Sequence, residues 1–158
     1  MPSSSANARF AAVEPGRSAL MSRIRSSGTK PEIAVRRALH ALGFRFRLHR
    51  RELPGKPDIV LPKYRLAIFV HGCFWHQHAG CRLASRPKTR GDYWEPKLAA
   101  NVARDARHAA ALGALGWRVA TVWECHTRDA KRLEGIVKEL NEALHQCSTV
   151  GGLDRSDR

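Results

Sequence analysis

Acidic residues are scarce in this chain of 158: 14 Asp and Glu stand against 28 Lys and Arg, which leaves a formal charge of +14. Such an excess of cations points to a polyanionic partner, because neutralising phosphates releases condensed counterions and drives association. Long apolar runs are missing as well. The longest, Leu66–Val70, has five residues, where a membrane-spanning helix needs roughly 20, so none is expected. The opening MPSSSANARF offers no apolar stretch for a secretory signal, and a cytoplasmic protein is the expectation. Cysteine is sparse at four residues, and in a reducing compartment these read as thiols or metal ligands rather than disulfides. What is present in ordinary amount is core: 43% hydrophobic residues, enough at this length for one packed domain.

The ends are poor in pattern. Residues 1–20 are rich in Ser, Ala, Gly and Pro and read as a flexible arm. Residues 148–158 read as a flexible tail, and 21–147 as one domain. Within it, Thr29-Lys30-Pro31-Glu32 marks a helix start with an early Pro and a first-turn acid, and Gly43 marks its stop. Phe44-Arg45-Phe46-Arg47-Leu48 alternates with period two, as a half-buried strand does. A second strand is expected over Asp58–Leu61 and a third over Leu66–Val70, the latter apolar on both faces. From His71 to Tyr93 no period survives, and a loop of that length is functional or disordered. Helices are predicted over about Glu95–Leu115 and Asp129–His145, with a strand over Trp117–Trp123 between them. The order α-β-β-β-α-β-α predicts an α/β fold, a mixed central sheet flanked by helices.

The chemistry concentrates in the unpatterned loop. His71-Gly72-Cys73-Phe74-Trp75-His76-Gln77-His78-Ala79-Gly80-Cys81 is followed much later by Cys125, at the end of the last strand. Cys73, His78, Cys81 and Cys125 suit a tetrahedral zinc site that pins a loop unable to bury enough surface by itself. Either His76 or His78 can complete that shell; the other is then free to move protons near neutral pH. Asp58 follows Pro54-Gly55-Lys56-Pro57 at a strand start, where a carboxylate can hold a hard cation such as Mg2+ or simply cap the turn. Asp105 falls on the apolar stripe of its helix with Leu98, Val102, Ala109 and Leu112, and a charge facing a core needs a partner. His76, a metal-bound water or an arginine would supply one. Glu32 reads most simply as a helix-dipole acid. Two aromatic pairs, Phe74-Trp75 and Tyr93-Trp94, lie among Arg82, Arg86, Lys88 and Arg90. There they serve as core plugs or as wedges into a base stack, with the cations on phosphates.

Pro54–Asp58, Ile68–His76, Asn101–Asp105 and Gly116–Cys125 together resemble the very short patch repair (Vsr) endonucleases. The match runs in order from about Met21 to Arg128, and its His-Gly-Cys-Phe-Trp-His centre is specific. The resemblance implies a restriction-endonuclease-like fold and nicking of one DNA strand 5′ to the thymine of a T·G mismatch, the product of 5-methylcytosine deamination. It implies Asp58 as principal Mg2+ ligand, His76 as activator of water and Asp105 as its support, with Glu32 and His71 assisting. It implies Cys73, His78, Cys81 and Cys125 as structural Zn2+ ligands. Phe74, Trp75 and Trp94 would enter DNA from the major groove and Met21 from the minor groove. Val70 stands where family members often carry Thr, and two residues rather than one separate His78 from Cys81.

The expected partner is double-stranded DNA carrying a T·G mismatch, in the bacterial nucleoid and alongside other mismatch-repair proteins. No heptad or other dimer signature appears, so action as a monomer is expected. Two alternatives make different predictions. A restriction-type endonuclease without mismatch preference would cut T·G and T·A duplexes alike. A non-enzymatic zinc-bearing DNA-binding protein would bind without cleaving.

Overall fold

The computed structural model describes residues 27–146; both terminal arms, together with Met21 and Cys147, lie outside the described residues. Helix α1 spans Lys30–Ala41, and Thr29 caps it by accepting the Glu32 N–H at 3.4 Å. The Glu32 carboxylate returns the favour, accepting from the Thr29 hydroxyl at 3.1 Å and the Gly28 N–H at 2.9 Å, a capping box that fixes the acid as firmly as the helix. The helix ends at Gly43, φ +82°, where the Gly43 N–H meets the His40 carbonyl and the Phe44 N–H meets that of Leu39. This paired closure requires the left-handed residue.

Four strands form one sheet in the order β1 (Arg47–Leu48), β2 (Ile59–Leu61), β3 (Leu66–His71) and β4 (Arg118–Trp123). The first two pairings are antiparallel and β3–β4 is parallel. A parallel pair needs a crossover, and helix α2, Gly91–Ala114, supplies it. The single turn α3 (Glu124–Thr127) and the helix α4 (Ala130–Gln146) complete the chain. Along β3 the side chains alternate between two cores. Leu66 and Ile68 join Val35 and Leu39 of α1 and Leu133 and Val137 of α4, while Ala67 and Phe69 join Leu112 of α2. A strand covered on both faces has no reason to carry polar residues until it ends, and it ends at His71.

The mixed sheet flanked by helices matches the expectation, with four local differences. Only Arg47 and Leu48 of the first predicted strand enter the ladder, and both are exposed on the sheet edge; Phe44 is buried before pairing begins. Helix α2 starts at Gly91 rather than near Glu95, so Pro96 lies inside it. The long loop contains a short 3-10 turn at Arg82–Ala84. The chain leaving β4 coils at once into α3, which carries Cys125. The turn before β2 is pressed against α2: Gly55 has φ +74°, and a Cβ there would lie 2.7 Å from the His108 ring. Glycine is what lets the turn bring Asp58 this close to the crossover helix.

Candidate active site

Asp58 lies immediately before β2, and its Oδ2 accepts the Val70 N–H of β3 at 2.7 Å. Burial pushes its carboxyl above the usual range, with the nearby Glu32 charge adding to this and the Val70 bond, His49 and Arg36 opposing it. Glu32 is 3% exposed, and its Oε2 takes a bond from Arg36 Nη2 at 2.8 Å. Between the two acids stands His49, with Nε2 3.6 Å from Glu32 Oε2 and Nδ1 3.9 Å from Asp58 Oδ1. One ligand atom from each of Glu32, His49 and Asp58 falls within 4.8 Å of the others. Two carboxylates with oxygen donors turned together suit a hard divalent cation.

A second cluster forms where the loop meets α2. His76 Nδ1 lies 2.5 Å from Asp105 Oδ2, and the His71 ring stacks on that of His76 with centroids 3.8 Å apart and planes 7° from parallel. Burial holds His71 down at about pKa 4, with the His76 charge adding to the effect and Asp105 opposing it, so this ring is neutral at physiological pH. The apolar stripe that placed Asp105 is narrower than expected. Leu98 and Leu112 are buried, but Val102 is 44% exposed. The partner of Asp105 is thus the loop imidazole, and no arginine takes that place among the described residues. The side-chain amide of Asn101 donates to the Trp75 carbonyl at 3.1 Å, tying the loop to the same helix. Glu32, Asp58, His71, His76 and Asp105 all line one cleft of about 550 Å³, with Arg104 and Lys56 on its walls.

The choice between His76 and His78 is resolved by position. His78, not His76, stands among the cysteines: its Nδ1 is 3.7 Å from Cys73 Sγ and 3.4 Å from Cys125 Sγ. The ring lies flat on Trp123, with centroids 4.2 Å apart. Cys73, His78, Cys81 and Cys125 each present one ligand atom within 4.8 Å of the rest, a three-sulfur, one-nitrogen set whose softness and spacing fit tetrahedral zinc. Burial pushes the Cys73 thiol up to about 12. A thiolate there would need a cation beside it. The aromatics form a third group. Phe74 packs edge-on against Trp75 at 5.1 Å and Trp94 at 5.5 Å. All three are half-buried, and Trp94 sits at the loop's edge on the first turn of α2. Arg82, Arg86, Lys88 and Arg90, between Trp75 and Trp94 in the chain, are exposed.

Two residues of this arrangement escape a reading of the sequence, His49 and Arg36. Both sit where alternation and helical period predict solvent, and nothing in their spacing marks them. The comparisons with known proteins bear on the loop and its surroundings. The profile described as DNA mismatch endonuclease Vsr matches residues 13–82. The chain is 58% identical over 121 residues to the type II nicking enzyme V.XorIIP of Xanthomonas oryzae pv. oryzae, covering 77% of this chain and 88% of that one. It is 42% identical over 128 residues to the DNA mismatch endonuclease Vsr of Escherichia coli, covering 80% and 81%.

The chain belongs to the Vsr endonuclease family.

It is accordingly a DNA endonuclease, and the cleft where the His76–Asp105 pair faces the two carboxylates is the candidate active site of this Vsr member. A similar relation holds to the type II nicking enzyme V.NmeAIP of Neisseria meningitidis, 40% identical over 132 residues that span 81% of this chain and 94% of that one. The family match ends at Arg82.

Proposed function

We propose that this protein nicks one strand of double-stranded DNA on the 5′ side of the thymine in a T·G mismatch, by Mg2+-dependent hydrolysis, on a restriction-endonuclease-like scaffold. The observation that carries this reading is the opening of the His76–Asp105 pair and the Glu32–Asp58 pair onto one cleft. Asp105 accepts from His76 Nδ1, which fixes the ring and leaves Nε2 to take a proton from the attacking water. Asp58, with Oδ2 held by the Val70 N–H, keeps Oδ1 for the cation, and Glu32 adds negative charge beside it. Asp58 and Glu32 would hold Mg2+ there, and the ion would supply electrostatic stabilisation of the scissile phosphate and of the departing 3′-oxygen. His71, neutral and stacked on His76, supports the ring without repelling the proton it takes up. Val70 offers only its backbone N–H to Asp58, so the hydroxyl that a Thr would bring is not needed for that bond.

Cys73, His78, Cys81 and Cys125 would hold Zn2+ and so tie the loop to α3. Phe74, Trp75 and Trp94 enter the duplex beside the mismatch, where a wobble pair is easier to unstack than a Watson–Crick pair. Met21 is assigned to the opposite groove by resemblance alone, since it lies outside the described residues. The protein acts as a monomer in the bacterial cytoplasm, at the nucleoid and beside other mismatch-repair proteins. No described helix is long and apolar enough to cross a membrane. A second reading is that the chain nicks a short sequence regardless of mismatch; the names of V.XorIIP and V.NmeAIP, type II nicking enzymes, specify nicking without specifying a mismatch. One assay separates the two. Duplexes differing only in T·G against T·A are incubated with and without Mg2+, and the nick is mapped on each strand. Nicking confined to the T·G duplex, on the thymine strand and only with Mg2+, is expected; equal nicking of both duplexes would replace the mismatch reading with the second.

A further inference from the structure

Glu32 and Asp58 line the cleft, but the imidazole between them does not. His49 lines a separate hollow with Arg47 and Pro62. Its backbone is left-handed, φ +47°, a conformation that is strained for a residue with a Cβ and persists where the surroundings demand it. The demand is visible. The His49 N–H donates to the Asp58 carbonyl at 3.2 Å, so the turn that breaks β1 is what brings the ring under the two acids.

Arg36 decides which nitrogen carries the proton. Its Nη2 lies 2.8 Å from Glu32 Oε2 and 3.0 Å from His49 Nε2. A guanidinium can only donate, so Nε2 accepts, and in the neutral ring the proton is on Nδ1. That is the nitrogen facing Asp58 Oδ1, at 3.9 Å. The distance exceeds hydrogen-bond reach, so the N–H dipole draws on the oxygen without consuming its lone pairs. The other oxygen, Oδ2, is already held by Val70. A dication bonded at Nε2 would meet the Arg36 guanidinium, which argues against the ring being a ligand itself.

We infer that His49 is a positioning residue: held by Arg36 in the Nδ1–H form, it sets the orientation of the Asp58 carboxylate toward the divalent cation. This rests on the reading of Asp58 as the cation's ligand, and the test keeps the two apart. Nitrogen-detected NMR of the histidine rings in the full-length protein is expected to find His49 protonated at Nδ1 and bare at Nε2. Binding of Mn2+ alone is then measured by calorimetry, with circular dichroism confirming the fold of each variant. His49→Leu removes both ring contacts and is expected to weaken Mn2+ binding about 10–100-fold, the usual cost of losing a group that orients a ligand. His49→Gln, whose carbonyl can accept from Arg36 while its amide donates to Asp58, is expected to restore most of that loss. If Asp58→Asn binds Mn2+ as tightly as wild type, the ligand reading itself fails. If Asp58→Asn abolishes binding while His49→Leu leaves it intact, or if the ring is protonated at Nε2, the positioning role fails alone. A Gln variant as weak as the Leu variant would make the imidazole a ligand and overturn the inference too. Should His49→Leu not fold, the ring-nitrogen signature and the Gln variant still decide.

Discussion

At 2.5 Å the His76–Asp105 contact does more than orient a ring. An acceptor at Nδ1 selects the tautomer and leaves Nε2 as the free nitrogen. Asp105→Asn replaces a charged acceptor with an amide that can also present a donor to Nδ1, which unsettles both tautomer and orientation. It is expected to lose part of the about 10²–10⁴-fold that a positioned proton acceptor contributes, with affinity for the duplex unchanged. Single-turnover nicking beside an equilibrium binding measurement checks this, and weakened binding at an unchanged rate would assign Asp105 to the interface instead. At this scale the sequence is legible where a residue breaks a pattern. Asp105 does so by interrupting an apolar stripe, and Asp58 by following a Pro-Gly-Lys-Pro turn. Glu32 shows only half of its part, because an acid in a first turn is explained by the capping box before any chemistry is invoked. His49 is silent. Its place depends on a left-handed backbone and on Arg36 reaching across from α1, and neither leaves a trace in one dimension.

The loop between β3 and α2 behaves as an element although it has almost no secondary structure. Its fixed points are Cys73 and His78 near the start, Cys81 after them, and Cys125 on α3, and these four sit where one tetrahedral ion would reach them all. The composition of the loop was enough to mark it, since no apolar period explains three histidines and two cysteines in eleven residues. Its partner α3 was not marked, because a single turn carries too few residues for a periodic signal. Elemental analysis is expected to find about one zinc per chain. Cys125→Ala should lose it and lower Tm by at least about 5 °C, since each kcal/mol lost moves a domain of this size by about 2–4 °C. A zinc-free wild type, or a Cys125→Ala variant with unchanged zinc and Tm, would assign the cluster to reduced thiols. The edge strand shows the opposite failure of legibility. Alternation places Leu48 inward, yet the ladder stops there and leaves it 41% exposed.

For the molecule as a whole, charge and fold point to the same partner. The excess of +14 is carried in part by the exposed Arg82, Arg86, Lys88 and Arg90, between Trp75 and Trp94 in the chain, and by Arg104 and Lys56 at the cleft. A cleft of about 550 Å³ with two acids in it would repel a phosphate unless cations flanked it. Binding to a short T·G duplex should therefore fall steeply with salt, by about 10³–10⁵ between about 50 and 200 mM if six to ten phosphates are contacted. A flat salt dependence would contradict a backbone-tracking interface. The layered architecture was legible because β3 is apolar on both faces and α2 supplies the crossover. That the His76–Asp105 and Glu32–Asp58 pairs meet over one cleft was not, since it depends on Gly55 admitting the turn before β2 against His108. The most direct test of that meeting is the single-turnover nicking rate of a T·G duplex in Mg2+ for wild type, Asp58→Asn, His76→Ala and the double variant, at saturating protein. Groups acting as one unit are not additive: each single variant should lose about 10²-fold or more, and the double should be no slower than the worse single. Nicking at the wild-type rate by either single variant would contradict the account.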